Sequence, residues 1–314
     1  MLCTVIIPCY NEQEVLVETY KRLTEVMSGL CGGQDGFDYE LLFINDGSRD
    51  ATLSMLRDLH SSDSRVKVVS FARNFGHMPA LTAGMDYAAG DAVVVIDADL
   101  QDPPSVIPDM IAKWREGYGV VYGRRTKRKG ENAFKLATAK LFYRFLNKLS
   151  DVKIPLDAGE FRLLDRKVVD AMKRLPEHNR YPRGLSSWVG FSQVDVGYVR
   201  EERFAGETKY PLRKMLKLAV DGMVSFSYKP LGLATAFGIA VSGLAKAGLI
   251  AALVMCLLGH SIGAAVWLGL ASLLMSGATM LFLGILGTYI ARICDEVRGR
   301  PLYIVGETMG IDGE

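Results

Sequence analysis

The stretch Asp97-Ala98-Asp99-Leu100-Gln101-Asp102-Pro103-Pro104 releases three carboxylates directly after the apolar run Ala92–Ile96. Like charges so close repel, and they need a cation, a set of donors or open water. Asp97 and Asp99 are two apart, so at an extended strand end they face one way. A hard divalent cation would relieve their repulsion. Mg²⁺ takes one or two protein carboxylates and completes its shell with phosphate and water. A metal-bridged diphosphate is a good leaving group, because the cation takes up charge as the bond breaks. The chemistry suggested is displacement of a nucleoside diphosphate.

Three more polar clusters follow strand-like runs. Leu2–Ile7 leads into Pro8–Glu12 (PCYNE), Glu40–Ile44 into Asn45–Asp50 (NDGSRD), and Val66–Phe71 into Ala72–His77 (ARNFGH). Asp46-Gly47-Ser48 taken alone reads equally as a turn and helix cap. Four clusters at successive strand ends are harder to dismiss, and their carboxylates and amides suit a ribose, a base edge and a metal.

The elements that must position them alternate. Helical periodicity is expected over Gln13–Leu30, Asp50–Ser61, Met78–Ala89 and Pro104–Glu116, with a further strand at Gly119–Tyr122. Such alternation predicts a mainly parallel sheet with helices on both faces, whose ligands collect at the carboxyl ends of the strands. No GxGxxG follows the first strand and no GxxxxGK[ST] occurs, which argues against a dinucleotide-binding dehydrogenase and a P-loop enzyme.

The chain has 314 residues, a formal net charge of +2 and 49% hydrophobic residues. That balance gives no support for nucleic-acid binding. Five cysteines without CxxC spacing and four scattered histidines speak against a disulfide framework and a zinc site. No cleaved signal peptide is read at the N-terminus. Beyond Pro230 come two long apolar stretches, Leu231–Leu258 and Ala264–Ala291, the first carrying only Lys246 as a charge. Each exceeds the roughly 20 helical residues that span a bilayer core. Basic residues flank them on one side (Arg213, Lys214, Lys217, Lys229; Arg292, Arg298, Arg300). The expectation is a transmembrane hairpin in the inner, cytoplasmic membrane with both termini cytosolic. Residues 212–229 read as an interfacial helix on the lipid bilayer. The small residues Gly269, Ser272, Ser276, Gly277, Gly284 and Gly287 would allow a homo-oligomer. The expected domains are 1–210 catalytic, 211–229 juxtamembrane, 230–292 membrane helices and 293–314 tail.

Together VIIPCYNE, NDGSRD, RNFGH, DADLQDPP, GEFRLLDR (Gly159–Arg166), YVREERFAGETKY (Tyr198–Tyr210) and the tail RPLYIV resemble family 2 glycosyltransferases of GT-A fold. The likeness extends to the subgroup that transfers sugar to polyprenyl phosphate. The resemblance implies an inverting transfer that needs Mg²⁺ or Mn²⁺, held by Asp97 and Asp99. It assigns nucleotide-sugar binding to Pro8, Tyr10, Asn11, Glu12, Asp46 and Arg73, joined by Asp97, Ala98 and Asp99. UDP-glucose is the default donor and polyprenyl phosphate the acceptor. The acid near the acceptor is Glu160, where the family usually has Asp, with Asp157 as the competing candidate. Arg124, Arg200, Arg203 and Lys209 are expected to meet the lipid phosphate. The motif Gln-x-x-Arg-Trp of processive members is absent. Rival readings are a transferase acting on a glycan or lipid hydroxyl, and a non-catalytic nucleotide-sugar-binding subunit.

Overall fold

A computed structural model of the chain describes residues 1–31, 36–127, 158–175, 177, 180–200, 257–258 and 264–311. The chain divides into two units, Met1–Asn147 with Val152–Leu218 and Pro301–Glu314, and Lys148–Asp151 with Ala219–Arg300.

The first unit is built on an eight-stranded sheet. In chain order its strands are β1 (Leu2–Cys9), β2 (Asp38–Asn45), β3 (Val66–Phe71), β4 (Ala92–Val95), β5 (Val120–Lys127), β6 (Ala158–Asp165), β7 (Gln193–Val199) and β8 (Val305–Met309). Their spatial order is β7-β5-β6-β4-β1-β2-β3-β8. β1 pairs in parallel with β2 and β4, and β2 with β3. β6 runs antiparallel to both β4 and β5, β7 runs parallel to β5, and β8 closes the far edge antiparallel to β3. The sheet is therefore mixed. The expected parallel core is β1–β4, and the reversed β6 separates it from β5.

β1 to β4 are almost wholly buried, as their near-continuous apolar runs require of strands covered on both faces. Alternate residues Cys3, Val5, Ile7, Leu41, Phe43, Val68 and Val94 share one core with helices α1 (Leu16–Leu30), α2 (Thr52–Ser62) and α4 (Ile107–Arg115). Leu16, Leu23 and Met27 recur along α1 at helical spacing and form its buried stripe. On the sheet's other side lie α3 (His77–Tyr87), α5 (Arg166–Lys173) and α6 (Pro182–Trp188). Asp165 caps α5 by accepting from Lys167 N at 2.9 Å, and also accepts from Trp114 Nε1 at 2.8 Å, tying β6 to α4.

The final residues, read from the sequence as a separate tail, supply β8. Tyr303 stacks on Phe71 with ring centroids 5.0 Å apart and donates to Asp86 at 2.9 Å, while Ala72 N donates to Ile304 O at 3.0 Å.

The second unit contributes one long described helix, α7 (Ala264–Arg298, 35 residues). The expectation of an inner-membrane protein with a transmembrane hairpin is corrected here. Among the described residues, no helix is long and apolar enough to cross a membrane. A long apolar stretch in sequence is not by itself a span. The second stretch is the front of a helix that continues through Arg292, Asp295, Glu296 and Arg298. The first stretch, apart from Leu257 and Leu258, and the interfacial helix lie outside the described residues, as do Asp157, Arg203 and Lys209.

Candidate active site

The carboxyl ends of β1 to β4 lie side by side, and the loops that leave them are clipped to one another. Asn11 N donates to Ser48 Oγ at 3.0 Å, and Arg49 N returns to Asn11 Oδ1 at 2.8 Å. Glu12 N donates to Thr52 Oγ1 at 2.9 Å. Pro8 is the penultimate residue of β1, in register with Ile44, and Tyr10 is half-buried just beyond the strand end.

Asp46 is buried and staples the next loop. Its carboxylate accepts from Phe75 N at 2.6 Å, Gly76 N at 2.9 Å and Asn74 Nδ2 at 2.9 Å. Burial raises its carboxyl above the usual range, and the two backbone donors oppose that. Gly47 sits at φ +62°, where a Cβ would meet Arg73 C at 2.4 Å, so only glycine lets the two loops approach. Arg73 is exposed, with its guanidinium 3.9 Å from the Phe75 ring centroid.

After β4 the chain turns sharply. Ala98 O accepts from Thr19 Oγ1 at 2.8 Å, anchoring the turn to α1, and Asp99 Oδ1 accepts from Gln101 N at 3.1 Å. Leu100 has φ +58° and Asn11 φ +53°. These are the non-glycine residues with positive φ among those described, and both lie in motif loops, where strain collects. Asp97 Oδ1 stands 3.6 Å from Nε2 of His77, the first residue of α3. Desolvation pushes the Asp97 carboxyl up to about 6; His77 opposes this, and the charges of Asp99, Asp102 and Glu160 add to it.

Asp97 and Asp99, two residues apart in one turn with the Asp99 charge acting on Asp97, fit a divalent ion held by two carboxylates. Among the described residues no group of three or more His, Cys, Asp or Glu side chains is placed to hold an ion.

β5, β6 and β7 bring a different set. Glu160 is buried on β6, with Arg183 Nε from α6 2.5 Å from its Oε1 and Arg162 Nη2 3.9 Å from its Oε2. Arg162 is fixed by Ser186 Oγ at 2.6 Å and Gly159 O at 2.9 Å. Burial alone would raise the Glu160 carboxyl, but the guanidiniums of Arg183 and Arg162 outweigh it and hold it below the ordinary range. Arg124 is exposed and bonds Asp195 at 2.6 Å. Its neighbour Arg125 points the other way along the strand, to Asp102 at 3.7 Å, and Arg200 reaches the same oxygen at 3.8 Å.

The structure thus brings Asp97 and Asp99 together with the loops after β1 to β3, and gathers Glu160 and Arg200 among further guanidiniums. Sequence reasoning missed His77, although its motif had been singled out. It also left Arg125 unnamed, although the run GRRTKRK (Gly123–Lys129) is a candidate for phosphate or anionic-lipid contact in which Arg124 alone is named, and it missed Arg183, whose only signal is its position on a short helix started by Pro182.

The chain matches Glycosyl transferase family 2 over residues 4–172. It is 54% identical to a Bacillus subtilis (strain 168) protein called uncharacterized glycosyltransferase YkcC, over 99% of this chain and 95% of that one. It is 40% identical to a prophage bactoprenol glucosyl transferase homolog of Escherichia coli (strain K12), over 97% of this chain and 98% of that one. A solved structure of glucosyl-3-phosphoglycerate synthase from Mycobacterium tuberculosis is similar at 23% identity and TM-score 0.47, over 71% of this chain and 79% of that one. With acids after β4, clipped loops after β1 to β3 and a match running nearly end to end, the chain belongs to glycosyl transferase family 2 and is a glycosyltransferase.

Proposed function

We propose that this enzyme transfers a hexose, by default glucose, from a nucleotide-diphosphate sugar to the phosphate of a polyprenyl carrier, with inversion at the anomeric carbon. The observation that carries the acceptor is the 40% identity, over 97% of this chain, to relatives whose names call them bactoprenol glucosyl transferases. The donor is assigned to the loop cluster: Pro8, Tyr10, Asn11 and Glu12 after β1, the Asp46 loop, Arg73, and the Asp97-Ala98-Asp99 turn.

Asp97 and Asp99 would hold Mg²⁺ or Mn²⁺, which when bound supplies charge neutralisation for the departing nucleoside diphosphate. The acceptor needs little help in losing a proton. A phosphate monoester has a second pKa of about 6 and is largely ionised at neutral pH. Glu160, locked between Arg183 and Arg162 and held in its charged form, suits orientation of those cations better than proton removal. Asp157 remains the alternative acid.

The test is purified protein with a panel of nucleotide sugars, Mg²⁺ or Mn²⁺, and polyprenyl phosphate, read by the mass and anomeric configuration of the lipid product. A hexosyl phosphoryl polyprenol of inverted configuration supports the reading. Transfer to a polyprenol or glycan hydroxyl in place of the phosphate overturns it. Amide variants of Glu160 and Asp157 separate the acids: a base role predicts rescue at high pH, an orienting role a loss that pH does not repair.

A further inference from the structure

Asp102 closes the acidic turn after β4 and takes no part in the roles given above. Its side chain is 1% exposed, so its charge must be met within the protein. Tyr198 Oη from β7 donates a short hydrogen bond to its Oδ1. Burial and the Asp102 charge keep the Tyr198 phenol well above its ordinary range, so it remains a donor at every working pH. Arg125 Nη2 and Arg200 Nε stand 3.7 and 3.8 Å from the same oxygen, which is charge contact rather than hydrogen bonding. Arg125 Nε donates to Tyr198 Oη at 3.2 Å. Arg200 Nε is enclosed with no hydrogen-bond partner among the described residues.

Neighbouring backbone makes room for this arrangement. A Cβ on Gly159 would fall 2.8 Å from Arg125 Nη2, so the guanidinium lies over a bare patch of β6, next to Glu160. One buried anion thus holds two cations near it, and among the described residues their only hydrogen bond is that of Arg125 Nε to Tyr198. Guanidiniums offered in this way suit a phosphate, which they bind as a fork.

We propose that Asp102 is a positioning residue that, together with Tyr198, presets Arg125 and Arg200 as a seat for a phosphate of one of the two substrates. The proposal rests on the glycosyl-transfer reading above for the identity of those substrates. Setting the forks beforehand spares the ordering of two long side chains when ligand arrives.

Calorimetry of the full chain with UDP-glucose and Mg²⁺, and separately with farnesyl phosphate, tests it. Asp102→Asn removes the charge with little change of shape, and is expected to weaken one of the two ligands about tenfold, as loss of an orienting partner does. Tyr198→Phe should weaken the same ligand roughly threefold, the scale of one hydrogen bond. Gly159→Ala, which shifts Arg125 without touching Asp102, should act on that ligand too, and it carries the test with Tyr198→Phe if Asp102→Asn does not fold. Loss confined to farnesyl phosphate assigns the seat to the acceptor, and loss confined to UDP-glucose assigns it to the donor. Unchanged affinity for both ligands in folded variants overturns the proposal. So does an equal loss for both that tracks a lowered melting temperature, the mark of a merely structural role. If wild-type protein binds both ligands but transfers no sugar to farnesyl phosphate, the proposed acceptor falls while the affinities still decide the role of Asp102.

Discussion

The loops after β1 to β4 and the ends of β5 to β7 flank the same acidic turn but are made differently. In the first region, side chains grip backbone: Asn11, Ser48, Thr52 and Asp46 each accept from main-chain N–H groups of another loop. In the second, buried charges grip each other: Glu160 with Arg183 and Arg162, Asp102 with Arg125 and Arg200. Backbone clips fix a shape around a ligand and tolerate partial exposure. Buried ion pairs aim charge and are costly to break, because the surviving partner is left without compensation. Damage to the first region should therefore appear as lost donor affinity. Damage to the second should appear as lost stability together with lost charge alignment.

The largest expected effect lies at the turn the two regions share. Asp97→Asn with Asp99→Asn should lower turnover by about 10²–10³-fold or more, the scale of removing preorganised charge stabilisation. Chelation should do the same to the wild type, with recovery on adding Mg²⁺ or Mn²⁺. Turnover that survives both treatments would remove the metal from the account.

Next comes Glu160→Gln, which strands two guanidiniums and should cost about 3–5 kcal/mol in denaturant unfolding. The wild-type carboxyl is held below its ordinary value near 4.3. Its contribution is therefore present above that unfolded value and lost as pH falls through the lower folded one. The stability gap between wild type and Glu160→Gln should narrow in that acid range; a gap constant with pH would refute the paired-anion description.

A smaller effect tests the clipped loops. Gly47→Ala forces a left-handed residue and a Cβ against Arg73, so it should cost about 1–3 kcal/mol, with a rise in donor KM larger than any fall in kcat. The smallest concerns the exposed pair of Arg124 and Asp195. Breaking it with Asp195→Asn should change stability by less than about 1 kcal/mol and fade in high salt.

The contrast also explains what the sequence revealed. Strands β1 to β4 are legible because burial on both faces makes them near-continuous apolar runs, and their loops are legible because each motif is contiguous. PCYNE, NDGSRD and DADLQDPP each carry their own polar clips, so a short window of residues suffices. The second region has no such window. Glu160, Arg183, Asp102, Arg125 and Tyr198 come from five separate segments and meet only because β6 reverses between β4 and β5. Nothing in the run GRRTKRK marks Arg125 over Arg124. Strand alternation decides it, and that depends on which face of β5 meets Asp102. Of the apolar stretches beyond Pro230, hydrophobicity announced helix at Ala264–Ala291, and that stretch lies within α7. It did not announce that the helix continues into charged residues, so a span read by counting apolar positions was corrected.

Strand β8 sets the timetable of folding. Its Glu307 pairs with Arg57, 250 residues earlier in the chain. As a polypeptide grows from its N-terminus, the β3 rim stays bare through synthesis of nearly all that follows, apolar α7 included. A naked rim of Val and Phe invites pairing with other nascent copies, and contacts this remote in sequence form late. The final strand thus works as a selvedge, the finished border without which the cloth frays from that side.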